Sequence, residues 1–93
     1  MRYYVYVLQS KADGNFYVGY TEDLNHRIKE HENGKVISTR KRRPLELVYY
    51  ECCLNRTDAI NRERYLKTAW GKRYIKNRIR TYLTGGTLWK KKK

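Results

Sequence analysis

Ninety-three residues make one domain with a modest core, and this length does not accommodate a second globular unit. Lys and Arg number 22 against 9 Asp and Glu, a formal net charge of +13. Such a balance calls for an anionic partner, nucleic acid ahead of a membrane surface, because neither a basic helix with a clean apolar face nor a lipidation signal is in view. No apolar run approaches the roughly 20 residues of a membrane span. Cys52 and Cys53 are adjacent and poorly placed to bridge each other, and no secretory segment is evident, so a reducing cytoplasm is the expected location. With only these two Cys and the scattered His26 and His31, a structural zinc site is not expected, and the cysteines read as small strand hydrophobes.

From Tyr3 to Leu8 the chain reads Tyr-Tyr-Val-Tyr-Val-Leu, the composition of a strand covered on both faces. Asp13-Gly14 then marks a turn, and residues 16–20 a second strand, together a hairpin. Thr21 is the expected N-cap of a helix over residues 22–33, with Glu22 and Asp23 in its first turn and Asn33-Gly34 as its stop. Residues 35–43 are basic, lack apolar periodicity and read as a loop. Pro44 closes that loop, and a third strand follows over residues 45–53. Helical spacing returns over 57–70, with Ala59, Leu66 and Ala69 or Trp70 on the inner stripe, and a shorter helix over 72–83 carries Ile75, Ile79 and Tyr82. Gly85-Gly86 ends the regular structure, which divides the chain into a domain over 1–84 and a basic, flexible tail over 85–93. The order β-β-α-β-α-α implies an α+β fold, a small three-stranded, mainly antiparallel sheet flanked by helices.

Side chains alternate along strands, so Tyr17 shares a face with Gly19, and Tyr4, Tyr6 and Leu8 share a face of the first strand. In a favourable register Tyr6 and Tyr17 border one pocket beside the space left by Gly19, although among 10 tyrosines some pair by composition alone. On the first helix Leu24, Arg27, Ile28 and His31 form one stripe at i, i+3, i+4 and i+7. An Arg on that stripe calls for an anionic ligand, an acidic partner or a stripe edge open to solvent. Glu63, set among basic residues, fits a surface ion pair. It also fits the lone carboxylate that can hold Mg²⁺ when phosphate and water complete the shell. Lys35, Arg40, Lys41, Arg42 and Arg43 suit phosphate contact beside a cleft, which gives affinity without base reading; the plain alternative is a solvated surface run.

Tyr4-Val5-Tyr6 and Tyr17-Val18-Gly19, followed by Arg27, by His31 one turn later and by Glu63 on a later helix, form an ordered set that resembles the GIY-YIG nuclease superfamily. The likeness spans roughly residues 3–83 and is greatest to small stand-alone members similar to the N-terminal nuclease domain of the bacterial excinuclease C subunit. It implies an endonuclease that hydrolyses phosphodiester bonds in DNA, in repair or recombination, with one Mg²⁺ or Mn²⁺ held by Glu63 as sole protein ligand. It also implies that Tyr17 acts as general base or positions the attacking water, that Arg27 binds the phosphate, and that Tyr6 and His31 orient water or phosphate, His31 with the option of relaying a proton. A phenol with the usual pKa of about 10 needs positive charge nearby to serve as base. Tyr4 stands where the signature has its first Gly, Tyr20 where some relatives carry a Lys, and Asn77 is the candidate for an Asn that relatives have after the metal Glu. No residue separates DNA from RNA as partner, and the oligomeric state and any targeting partner stay open. Two readings compete with the enzyme: a non-catalytic DNA- or RNA-binding module on the same scaffold, and a basic protein-interaction domain.

Overall fold

A computed structural model describes residues 1–85, so the expected basic tail lies outside the described residues except for Gly85. Strands β1 (Tyr3–Ser10), β2 (Phe16–Thr21) and β3 (Leu45–Cys53) form one antiparallel sheet in the order β2-β1-β3. β1 takes the centre because its run of apolar side chains needs cover on both faces, and Val5, Tyr6, Val7 and Leu8 are all buried. The strand extends past its hydrophobic run to Ser10, which closes the hairpin. The Ser10 N–H donates to the Asn15 carbonyl at 3.0 Å, its Oγ accepts from the N–H groups of Ala12 and Asp13 at 3.1 Å, and Gly14 takes the left-handed position at φ +75°.

On one face Val5, Val7, Phe16, Val18 and Val48 pack with Ala59 and Leu66 of α2 (Arg56–Leu66) and Ile75 of α3 (Ala69–Arg78). Burial of each aliphatic side chain here contributes roughly 1.5–3 kcal/mol. A register shift between Val7 and Leu8 makes Val48 the extra residue of β3 and turns it into this core. The opposite face is covered by α1 (Leu24–Glu32), whose buried residue is His31.

Three features differ from the sequence expectation, the first two for a capping reason. Asp23, not Thr21, is the N-cap of α1 and accepts from the His26 N–H at 3.1 Å; Thr21 Oγ1 instead accepts from the Asp23 N–H, so Glu22 falls outside the helix. The helix expected over 57–70 is two helices. Thr68 Oγ1 accepts from the Gly71 N–H at 3.1 Å and caps α3, which ends α2 at Leu66 and leaves a final turn of helix over Arg80–Leu83. As a result Trp70 is exposed rather than on the inner stripe, and Tyr82 is exposed too, its hydroxyl donating to Glu46 at 2.7 Å. Third, the loop after α1 contains a 3-10 turn over Arg40–Arg42. Of the two cysteines Cys53 packs against the core as expected, whereas Cys52, on the alternate side of the strand, is exposed.

Candidate active site

The hairpin register pairs Tyr6 with Gly19 and Leu8 with Tyr17, so all four share the face opposite the α2–α3 core. Because residue 19 has no side chain, Tyr6 lies across it; a Cβ there would collide with the hydroxyl end of the Tyr6 ring. The ring centroids of Tyr6 and Tyr17 are 6.5 Å apart, and His31 of α1 stands edge-on to both, at 5.6 and 5.3 Å. The Tyr17 hydroxyl is half-buried and accepts a long hydrogen bond from Ser38 Oγ at 3.4 Å.

Behind these rings runs a buried chain of hydrogen bonds. The Tyr6 hydroxyl lies 2.8 Å from His31 Nε2, and His31 Nδ1 lies 2.7 Å from Thr39 Oγ1; the three residues are 1%, 1% and 0% exposed. Burial, aided by the Arg27 charge, holds the His31 imidazole down at about 4, so at neutral pH one ring nitrogen donates and the other accepts. The Tyr6 and Thr39 hydroxyls can each donate or accept, so they complete either tautomer, and the Arg27 charge acts on the Tyr6 hydroxyl. Burial lifts the Tyr6 hydroxyl to about 12, with Arg27 opposing and the charges of Tyr17 and Glu63 adding to it, so Tyr6 stays protonated at pH 7. With its ring buried and both nitrogens occupied, His31 holds Tyr6 in place and presents no free nitrogen to water or phosphate.

Thr39 was not singled out by sequence reasoning, because the loop that carries it shows no regular period. Its one signal is that Val36 and Thr39, three residues apart, are the buried members of an otherwise polar segment, joined by a Thr39 N–H bond to the Val36 carbonyl at 3.2 Å.

Arg27 is half-buried and donates to Glu30 Oε1 at 3.0 Å, one turn along α1. Glu30 uses part of its five-donor fork, and the rest is available to an anion. Glu63 reaches the site from the other face of the sheet. On α2 it flanks the Ala59–Leu66 stripe on one shoulder while Arg62 flanks it on the other, and Arg62 grips Glu51 of β3 with two bonds of 2.9 and 2.8 Å. At about 100° per residue, that places Glu63 on the shoulder toward β2, the edge strand. From there its charge acts on the Tyr6 hydroxyl, which lies over Gly19 of that strand. The site therefore gathers at the β2 edge, where Tyr6, Tyr17 and His31 meet in ring contact and the charges of Arg27 and Glu63 act on the Tyr6 hydroxyl.

The GIY-YIG catalytic domain matches residues 2–75 of the chain. The chain belongs to the GIY-YIG family. A UPF0213 protein of Bacillus pumilus is 46% identical over 67 residues, which cover 71% of this chain and 67% of the relative. A UPF0213 protein of Staphylococcus epidermidis is 41% identical over 68 residues, 72% of this chain and 82% of the relative. The solution NMR structure of a UPF0213 protein from Bacillus halodurans is similar at TM-score 0.52 and 37% identity, covering 81% of this chain and 82% of the other. As a GIY-YIG domain the chain is a member of a nuclease family.

Glu63 is the carboxylate that the GIY-YIG pattern offers a metal ion. No three His, Cys, Asp or Glu side chains converge among the described residues. Glu63 is a hard oxygen donor with its side chain 19% exposed, which fits an ion such as Mg²⁺ that keeps several waters; the ion would displace Lys67 Nζ, now 3.3 Å from the carboxylate. The other expected positions of the GIY-YIG pattern divide. Tyr20 points into the α2 side, packs on the core and donates to Glu22 at 3.1 Å, so it faces away from Tyr17. Asn77 is exposed, with Arg80 Nη2 3.4 Å from its Oδ1.

Of the five loop cations, three are engaged within the fold. Arg40 donates to the Gly34 carbonyl at 2.8 Å and Arg43 to the Glu32 carbonyl at 3.2 Å, closing the C-terminal end of α1, while Arg42 pairs with Asp13 at 2.9 Å and ties the loop to the hairpin. Lys35 and Lys41 are exposed.

Proposed function

We propose that this GIY-YIG domain is a metal-dependent endonuclease that hydrolyses phosphodiester bonds in DNA, acting in the cytoplasm in repair or recombination. One observation carries the reading: two phenols, a guanidinium and an imidazole from three separate elements gather over Gly19, with the charge of Glu63 felt at the same point.

In this reading Arg27 binds the scissile phosphate and offsets the negative charge that builds on it during attack. Tyr17, the phenol of the pair that is not fully buried, positions the attacking water or, as the phenolate, takes its proton. Tyr6, held protonated, and His31, held neutral, fix the guanidinium rather than touch the substrate. Glu63 holds one Mg²⁺ or Mn²⁺, which when bound stabilises the leaving oxygen. Lys35 and Lys41 meet the DNA backbone, and Arg40, Arg42 and Arg43 set the shape of that loop.

The test is a nicking assay on supercoiled plasmid and on branched oligonucleotides with Mg²⁺ or Mn²⁺, comparing wild type with Glu63→Gln and Arg27→Ala. Nicking by wild type and its loss in both variants is expected. Equal nicking by all three proteins would remove Glu63 and Arg27 from the activity, and no nicking by wild type while DNA is still bound would replace the enzyme with a binding module.

A further inference from the structure

Between Arg56 and Arg80 the chain has nine basic residues against two acidic ones. The aromatic most open to water on this basic surface is Trp70, 70% exposed. Its position is imposed by the helix. Gly71 and Ile75 are the buried residues of α3, and Gly71 sits so close to Tyr65 and Leu66 that no side chain fits there, which turns the neighbouring Trp70 outward. Burying an indole is among the larger hydrophobic gains open to a small domain, and here it is forgone. The ring is nonetheless held, since the Arg73 guanidinium lies 5.0 Å from its centroid. The same motif recurs alongside, where Arg62 lies 5.5 Å from the Tyr65 ring and 4.9 Å from the Tyr74 ring, and both tyrosines are exposed.

We propose that Trp70 and Arg73 form a stacking platform for an unpaired base of single-stranded DNA, separate from the catalytic hollow. A base satisfies both features at once. Its flat face stacks on the open side of the indole, and the phosphate it brings meets the Arg73 charge, which takes part in no ion pair among the described residues. A second copy of a chain carrying +13 would be repelled from a surface this basic. Trp70 stands in the first turn of α3, the helix that follows the one carrying Glu63. On the nuclease reading, which this proposal deepens, the substrate includes an unpaired strand.

The experiment is fluorescence anisotropy of labelled oligo-dT and of a duplex of equal length, with the full chain in EDTA so that neither metal nor cleavage enters. Trp70→Ala weakens oligo-dT binding by about tenfold and duplex binding by less than about twofold, and Trp70→Tyr recovers most of the loss. The slope of log K against log salt stays unchanged in Trp70→Ala and falls by about 0.7 in Arg73→Gln. Because Trp70 is exposed, circular dichroism of the variants should match wild type. Unchanged oligo-dT binding in Trp70→Ala, or an equal loss for oligo-dT and duplex, overturns the proposal. So does light scattering that shows Trp70→Ala abolishing self-association while DNA binding persists, which would assign the patch to a second copy. A protein that nicks nothing but passes these tests loses the nuclease reading and keeps the platform.

Discussion

Mild acid should destabilise this protein through one buried imidazole. Burial and the Arg27 charge hold His31 at about 4 in the folded chain, against 6.5 for an ordinary His. The unfolded chain takes up the proton first, so the stability that rests on neutral His31 is complete above pH 6.5 and is lost as the pH falls toward 4. Each pH unit inside that window costs about 1.4 kcal/mol. By pH 5 the loss reaches about 2 kcal/mol, which lowers Tm by roughly 8–16 °C in a domain of this size. The partnered carboxylates Asp13, Glu30 and Glu46, held down by hydrogen bonds from Arg42, Arg27 and Lys11 respectively, begin to lose their contribution as the pH reaches the ordinary carboxylate values, below the pH 7 to 5 range of the assay. The assay is thermal unfolding by circular dichroism from pH 7 to pH 5 for wild type and His31→Gln. The Gln variant starts less stable and its Tm stays nearly flat. Parallel Tm lines for the two proteins across that range would refute the argument.

Three further outcomes follow from the same geometry. Thr39→Val leaves the buried Nδ1 of His31 without its partner and should cost about 1–3 kcal/mol in denaturant unfolding, with Thr39→Ser restoring most of it; equal stability of the two variants would show that this bond does not support the fold. Gly19→Ala drives a methyl group into the hydroxyl end of Tyr6 and should cost about 1–3 kcal/mol while releasing Tyr6 from His31; an unchanged His31 ring signal in NMR would show that the close contact is not maintained in solution. Lys67→Ala removes the ion that competes for Glu63, so Mn²⁺ affinity read by electron paramagnetic resonance should rise by about twofold and vanish in Glu63→Gln. Mn²⁺ bound equally well by all three proteins would place the metal elsewhere.

Much of this architecture is written in short-range patterns. β3 over Leu45–Cys53 lies where the β-branched and aromatic run and Pro44 place it, and the α1 stop at Asn33-Gly34 is a local left-handed turn, with Gly34 at φ +74°. The stripe of Arg27 and His31 also follows from helical spacing alone, and the alternation of β2 is enough to put Tyr17 and Gly19 on one face. Thr68 was the local signal that went unread, since a Thr inside an apparent helix can be an interior residue or a cap, and only the packing of Gly71 on Tyr65 and Leu66 selects the cap.

What tertiary structure alone decided is how these pieces meet. A basic segment carries no mark of which arginines its own carbonyls and carboxylates will claim, and so Arg40, Arg42 and Arg43 turned out to be braces for α1 and the hairpin. Nothing near Thr39 in sequence tells that it will close a chain begun by Tyr6, because that contact depends on how the loop after α1 folds back over the sheet. Periodicity shows that α2 has an inner stripe but not which face of the sheet it covers. Glu63 thus arrives from the side opposite α1, and its charge is felt at Tyr6 because β2 is an edge strand with Gly19 beneath the Tyr6 hydroxyl. Periods and caps act over three or four residues, whereas a site assembled from three elements is fixed by contacts across the sheet, which no local pattern encodes.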